Sequence, residues 1–284
     1  MDAQRISPLL RQRRLGRILR DLRTREQITL AQTGRYLGWS TAKVGRIEAG
    51  QTRPSPADVA ASLELFGASD EVRRTCMALA AQAAARPWWA PFRSVLGEYV
   101  SLETEAELVR SWQPQLVEGL LQTEAYARAL ILASLPEATD AEVDLRIRAR
   151  MARQRLLAGG DPLVLSVVLA EDALRVPVGG ALVMAAQMAH LAEVAQWPNV
   201  TLRVLPRRVG AHPGMSGAFV LLSLPQDPVS VFVEGAPQEI VTDEVALVRG
   251  YERRFHCLSA SALTAEDSLE ILGQITRELE RDAD

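Results

Sequence analysis

At 284 residues, 48% hydrophobic and with mean hydropathy +0.01, the chain is long and apolar enough for one large domain or two smaller ones, which excludes a disordered polypeptide. Its net charge of −3 is uneven: residues 1–66 carry 12 basic against 6 acidic side chains, leaving −9 for the rest, the pattern of a basic, polyanion-facing head on an acidic body. Two distant cysteines, three histidines without ligand spacing, no apolar N-terminal segment and no apolar run of bilayer length point to a cytoplasmic protein with no metal, no cofactor and no membrane partner.

In chain order, Leu15, Ile18, Leu19 and Leu22 recur at helical spacing and predict an amphipathic helix over about 9–25, with Arg13, Arg14, Arg17 and Arg20 on its other face. Thr29 is placed to cap a short helix, LAQTGRYL, that Gly38 ends. Ser40 is placed to cap a third, TAKVGRIEA, that Gly50 closes. Ser55 caps a fourth, with Val59, Leu63 and Phe66 on one side, and 69–87 reads as an alanine-rich fifth whose acidic start suits the helix dipole. In the third helix Val44 and Ile47 face inward, which turns Thr41, Ala42, Lys43, Gly45 and Arg46 outward.

The pattern L-R-x-L-R…T-L-A…L-G-W-S…K-V-x-R-I-E-x-G…R-P-S resembles the Xre, or lambda-repressor-like, helix-turn-helix family over about 9–68. The resemblance implies a five-helix DNA-binding domain whose third helix enters the major groove. There Arg46 has the geometry to take guanine O6 and N7, Thr41 and Ala42 are small enough to meet a thymine methyl, and Lys43 reaches a base or a phosphate. Arg35 and Arg53 are expected on phosphates, and Thr29 and Ser40, at the starts of the two helices, complete the DNA-binding set. Glu48 is expected, from the resemblance, to pair with Arg23 and hold the third helix in place. The chain departs from the family at Thr33 and Gly34, where Leu and Ala are common; glycine inside a helix costs about 1 kcal/mol relative to alanine.

WWAPF (88–92) breaks the helical text, and its tryptophans read as packed anchors of the next domain. Residues 98–134 read as helical, EYVSLETEAELVRSW followed by QPQLVEGLLQTEAYARALILAS. Further helices are predicted at about 140–158, 180–196, 242–262 and 265–281. LVLSVVLAE, VTLRVLP, GAFVLLSLP and VSVFVEG predict strands, the last two forming a hairpin around PQDP. The expected fold class is therefore mainly α with an α+β C-terminal domain. The expected division is 1–85, a helix-turn-helix DNA-binding domain, and 86–284, a regulatory or partner-binding domain.

The stretch LETEAELVRSWQPQLVEGLLQTEAYARAL, with RQRLL, AEDALR, QMAHLAE, PNVTLRVLP and GAFVLL following in order, resembles an uncharacterised domain over about 95–280. That domain follows Xre-type heads in the WhiJ-like regulators of filamentous, high-GC bacteria. Glu118 stands where the group has proline. The resemblance implies a transcriptional regulator, a repressor in its simplest form, with a small partner protein encoded nearby.

No nucleophile elbow, zinc-protease, P-loop or dinucleotide motif is present, so the body is not read as an enzyme. Glu171, Asp172, His212 and Glu234 are the available acid–base set; their ordinary reading is strand-end residues paired with Arg175 or Arg203. A ligand or partner site is the better use of Trp112, Gln122, Tyr126, Glu171, Arg175, His212 and Glu234. The function expected is sequence-specific binding to double-stranded DNA as a homodimer on an inverted repeat, with the body receiving a protein or small-molecule signal. The alternative is a toxin–antitoxin-like interaction component whose DNA binding is autoregulatory.

Overall fold

The computed structural model describes residues 7–97, 99–225, 227–233 and 240–283. The chain divides into two compact units, 1–91 and 92–284.

The first unit is built from five α-helices among the described residues: α1 (Pro8–Arg25), α2 (Leu30–Leu37), α3 (Thr41–Glu48), α4 (Pro56–Leu65) and α5 (Asp70–Ala83). Each begins at a hydroxyl cap. The side chains of Ser7, Thr29, Ser40, Ser55 and Ser69 all accept a backbone N–H of the following turn, and Thr29 and Ser55 complete reciprocal capping boxes with Gln32 and Asp58. Gly38 ends α2 in the left-handed region at φ 68°. Leu15, Leu19, Leu22, Ile47, Val59, Leu63, Phe66, Cys76 and Leu79 interlock as one core. Trp88 and Trp89 fall within this unit, edge to face with ring centroids 5.7 Å apart, rather than in the second as expected.

The second unit is α+β, as expected. Its six-stranded mixed sheet has the order β3-β2-β1-β4-β5-β6, made from β1 (Leu108–Gln113), β2 (Val164–Ala170), β3 (Val200–Leu205), β4 (Phe219–Ser223), β5 (Ser230–Val233) and β6 (Ile240–Thr242). Strands β1, β2 and β3 run parallel; β4, β5 and β6 continue antiparallel, so the predicted β4–β5 hairpin is present. The parallel steps are bridged by helices, as they must be: α7 (Glu124–Ser134) and α8 (Asp140–Arg153) between β1 and β2, and α9 (Ala181–Val194) between β2 and β3. Helix α10 (Val245–Ser261) sets Val248, Phe255 and Leu258 against Trp112, Phe219, Leu221 and Val231 of the sheet, and α11 (Ala265–Ala283) packs on α9 and β3.

The β3 edge is covered. Val204 N–H donates to Ser268 Oγ at 3.0 Å, and its carbonyl accepts Leu263 N–H at 2.9 Å.

The helical reading of 98–134 holds at its ends and fails in its middle. Helix α6 (Tyr99–Glu105) and α7 are helical, but LVRSWQ is β1, the strand that joins the parallel and antiparallel halves. Leu108, Val109 and Trp112 also satisfy a helical spacing. Pairing with β2 on one side and β4 on the other overrides that local preference, with Val109 and Trp112 buried.

Candidate nucleic-acid interface

Helix α3 sorts its residues as its period requires. Val44 and Ile47 are each 3% exposed and face the core, whereas Thr41, Ala42 and Arg46 are exposed. Ser40 caps the helix through Lys43 N–H at 3.1 Å, and Thr29 does the same for α2 through Gln32 N–H. Arg35 and Arg53 are exposed, Arg53 lying 3.5 Å from the Ala83 carbonyl. Thr29, Arg35, Ser40, Thr41, Ala42 and Arg46 thus share solvent exposure around the α2–α3 turn.

Lys43 is engaged within the unit. Its Nζ is 3.3 Å from both carboxylate oxygens of Asp58 and 4.0 Å from the centre of the Trp39 ring. Burial pushes the Asp58 carboxyl up, but the Ser55 backbone N–H and the Lys43 ammonium outweigh it and leave the group below its ordinary value. The lysine is therefore neutralised in place by a residue of the next helix.

Two close approaches fix α3. A Cβ on Gly16 of α1 would lie 2.4 Å from the Ile47 carbonyl oxygen, so α1 and α3 meet backbone to backbone there. A Cβ on Gly34 would lie 2.6 Å from the Trp39 carbonyl oxygen, so this glycine lets the α2–α3 turn close rather than merely softening α2. The part-buried Arg23 guanidinium grips the buried Glu48 carboxylate through Nε at 2.7 Å and Nη2 at 2.9 Å, and donates from Nη1 to Ile28 O at 2.6 Å. One arginine thereby ties α1, the α1–α2 loop and α3 together.

The basic face expected on α1 is less open than its spacing suggests, because Arg14 is buried with Arg11 and only Arg20 of the four is fully exposed. Sequence reasoning missed Tyr36, 70% exposed beside Arg35, and Asp58, whose role depends on a pairing fifteen residues back along the chain. A tyrosine directly after an arginine, on the outward side of α2, is the signal that marks Tyr36.

The candidate residues of the second unit do not converge. Trp112 donates Nε1–H to Gly214 O at 2.9 Å and packs edge to face with His212, a core contact on the α10 side of the sheet. Glu171 accepts from Arg175 at 2.8 Å and from Arg207 N–H at 3.1 Å, and these bonds hold its carboxyl below the usual range against the opposing effect of burial. Arg175 also pairs with Glu278 on α11 at 2.8 Å. No hydrogen bond joins Glu171 to His212 among the described residues, and Glu234 lies outside them. Gln122 and Tyr126 stand together elsewhere. Val117 supplies its carbonyl to Gln122 Nε2 at 2.7 Å and its N–H to the Tyr126 hydroxyl at 3.3 Å. Gln122 also lines a cavity of about 420 Å³ under α8. At Glu118 the backbone φ of −50° lies within the range of a proline, so the turn is kept, while the carboxylate accepts from Ser111 Oγ and from Gln113 Nε2 at 3.0 Å.

Among the described residues there is no cluster of His, Cys, Asp and Glu able to hold a metal ion, and no helix is long and apolar enough to cross a membrane. No curated protein and no solved structure shows significant similarity to the chain. A helix-turn-helix domain model matches residues 14–75, which run from within α1 through α4 into the first part of α5, and marks the first unit as DNA-binding. A second model, described as a domain of unknown function, DUF5753, matches residues 96–274, more than half of the chain and nearly all of the α+β unit. The chain therefore belongs to the DUF5753 family, with a helix-turn-helix domain preceding that domain.

Proposed function

We propose that the protein is a sequence-specific transcriptional repressor of the Xre, WhiJ-like type, in which α3 reads the major groove and the α+β unit receives a protein or small-molecule signal. The observation that carries the reading is the division of α3: an aliphatic side locked in the core and a face of Thr41, Ala42 and Arg46 open to solvent. Arg35 and Arg53 are the phosphate contacts that set register. One eight-residue helix reads only a few base pairs, so a homodimer on an inverted repeat, with half-sites about 34 Å apart, supplies the remaining specificity.

Selection of binding sites from random duplexes, followed by gel-shift titration, tests this. Arg46→Ala is expected to weaken the selected site by roughly 1–3 kcal/mol and to relax preference at one base pair, with little change on random DNA. Unaltered preference would remove Arg46 from the reading face.

Asp58 gives a second expectation. Asp58→Asn keeps an oxygen for the Ser55 cap but removes the carboxylate that neutralises Lys43. Affinity for all duplexes should rise by about 0.5–1 kcal/mol, and the salt dependence should steepen by about one unit as Lys43 becomes a phosphate ligand. A salt slope equal to that of the wild type would mean that Lys43 makes the same DNA contact with or without Asp58.

A second reading, an interaction component of a toxin–antitoxin-like pair with autoregulatory DNA binding, is favoured by one feature. The β6 edge and the start of α10 expose Ile240, Val241, Val245 and Leu247, an apolar rim suited to a protein partner.

A further inference from the structure

Each of α1, α2 and α3 carries a glycine in its interior, where only proline is costlier. Two of the three are explained inside the protein. A Cβ on Gly16 would collide with the Ile47 carbonyl oxygen, and one on Gly34 with that of Trp39. Gly45 of α3 has no such reason. A Cβ there would meet nothing within 4 Å, and the burial of Val44 and Ile47 turns it to the outer side of the helix. Helix α3 thus gives up stability at a position where the fold asks for no space.

The residues around that space are the ones assigned to the reading face. Thr41 and Ala42 precede Gly45 by four and three positions, which makes them its neighbours on the helix surface, and Arg46 follows it directly. All three are exposed. The missing Cβ leaves a notch of methyl size between two small side chains and the aliphatic stem of an arginine. The helix-turn-helix match over 14–75 makes a duplex the object this notch meets. Among the base edges of the major groove the C5-methyl group of thymine is the apolar one, and small apolar contacts read it. With Arg46 forked onto O6 and N7 of a guanine, the pyrimidine on the 5′ side of that guanine turns its C5 position toward the arginine stem.

We propose that Gly45 is a specificity-determining residue: its notch receives the C5-methyl group of the pyrimidine 5′ to the guanine held by Arg46. Helix α3 then reads a methylpyrimidine–guanine step rather than an isolated guanine. 5-Methylcytosine carries the same methyl group in the same place, so the notch accepts it as it accepts thymine, and binding responds to cytosine methylation at that step. The proposal rests on the groove-reading role of α3 and deepens it by naming the second base feature that is read.

Four versions of the selected site, titrated with the full chain by gel shift, test it. They differ at that pyrimidine alone, which is thymine, uracil, cytosine or 5-methylcytosine, each in its normal pair. Thymine over uracil, and 5-methylcytosine over cytosine, should each bind about fourfold tighter, the worth of one buried methyl group. Gly45→Leu fills the notch and should bring both ratios to about one, while keeping the guanine preference that Arg46→Ala loses. Gly45→Ala should raise the melting temperature of the DNA-free first unit by roughly 4–8 °C and reduce both ratios. A selected site with no pyrimidine at that position, a ratio of one in either pair for the wild type, or ratios that survive Gly45→Leu would overturn the proposal. With the Arg46 dependence intact, those results leave the groove-reading role of α3 standing. A site preference indifferent to Arg46→Ala removes that reading instead, and this proposal with it.

Discussion

Replacing Glu48 by Ala is expected to destabilise the helix-turn-helix unit by about 3 kcal/mol, because it leaves the Arg23 guanidinium, its side chain 13% exposed, without its counter-charge. Arginine cannot shed its proton to escape, and the hydrogen bond to Glu48 already holds this one above its ordinary value. For a unit of this size the loss corresponds to a fall in melting temperature of roughly 10–20 °C. The damage falls on function as well as stability, since Glu48 is the last residue of α3 and Arg23 lies on α1. Amide exchange in the intact chain separates the units: protection in α1 and α3 should drop, while the sheet of the second unit keeps its own. Glu48→Gln retains one acceptor for Arg23 and should lose much less. Wild-type protection in Glu48→Ala would show that the backbone contact at Gly16, not the ion pair, seats α3.

The first unit was legible because its signals are local. A serine or threonine three residues ahead of the amide it caps is visible in sequence, and Thr29, Ser40 and Ser55 each cap as read. The runs of valine and leucine behind β2 to β5 were legible for the same reason. Strand β1 was not, because its state is decided by Val164–Leu169 and Phe219–Ser223, partners more than fifty and one hundred residues away. The three residues of β6 carry no period at all.

The candidate sites divide along the same line. That Val44 and Ile47 turn inward followed from period alone. That Asp58 neutralises Lys43 did not, because the pairing joins two helices whose relative placement no spacing rule gives. In the second unit, polar residues at strand ends drew attention to Glu171 and His212, which are occupied by Arg175 and by Gly214 N–H and Trp112 respectively. The cavity instead takes its lining from widely separated segments, from Val95 to Phe232.

The largest effect in the second unit should come from Glu103→Ala, a loss of about 4 kcal/mol in urea denaturation of the full chain. Glu103 is 0% exposed on α6, the helix that leads into β1, and its two bonds to Arg153 are what fasten α6 to the end of α8. Burial disfavours the Arg153 cation; Glu103 overrides that and raises it above its ordinary range. Without that carboxylate the arginine keeps its stacking on Tyr99, at 5.4 Å from the ring centre, and the weaker attraction of Glu118, and no neutral form is open to it. The charge argument and a simple packing argument part company in the double variant. If uncompensated charge causes the loss, Glu103→Met with Arg153→Met removes both ions together, fills a similar volume, and should recover at least half of the stability. If the loss is one of shape, the double variant should be at least as unstable as the single one, and the pair would then be a packing element whose charge is incidental.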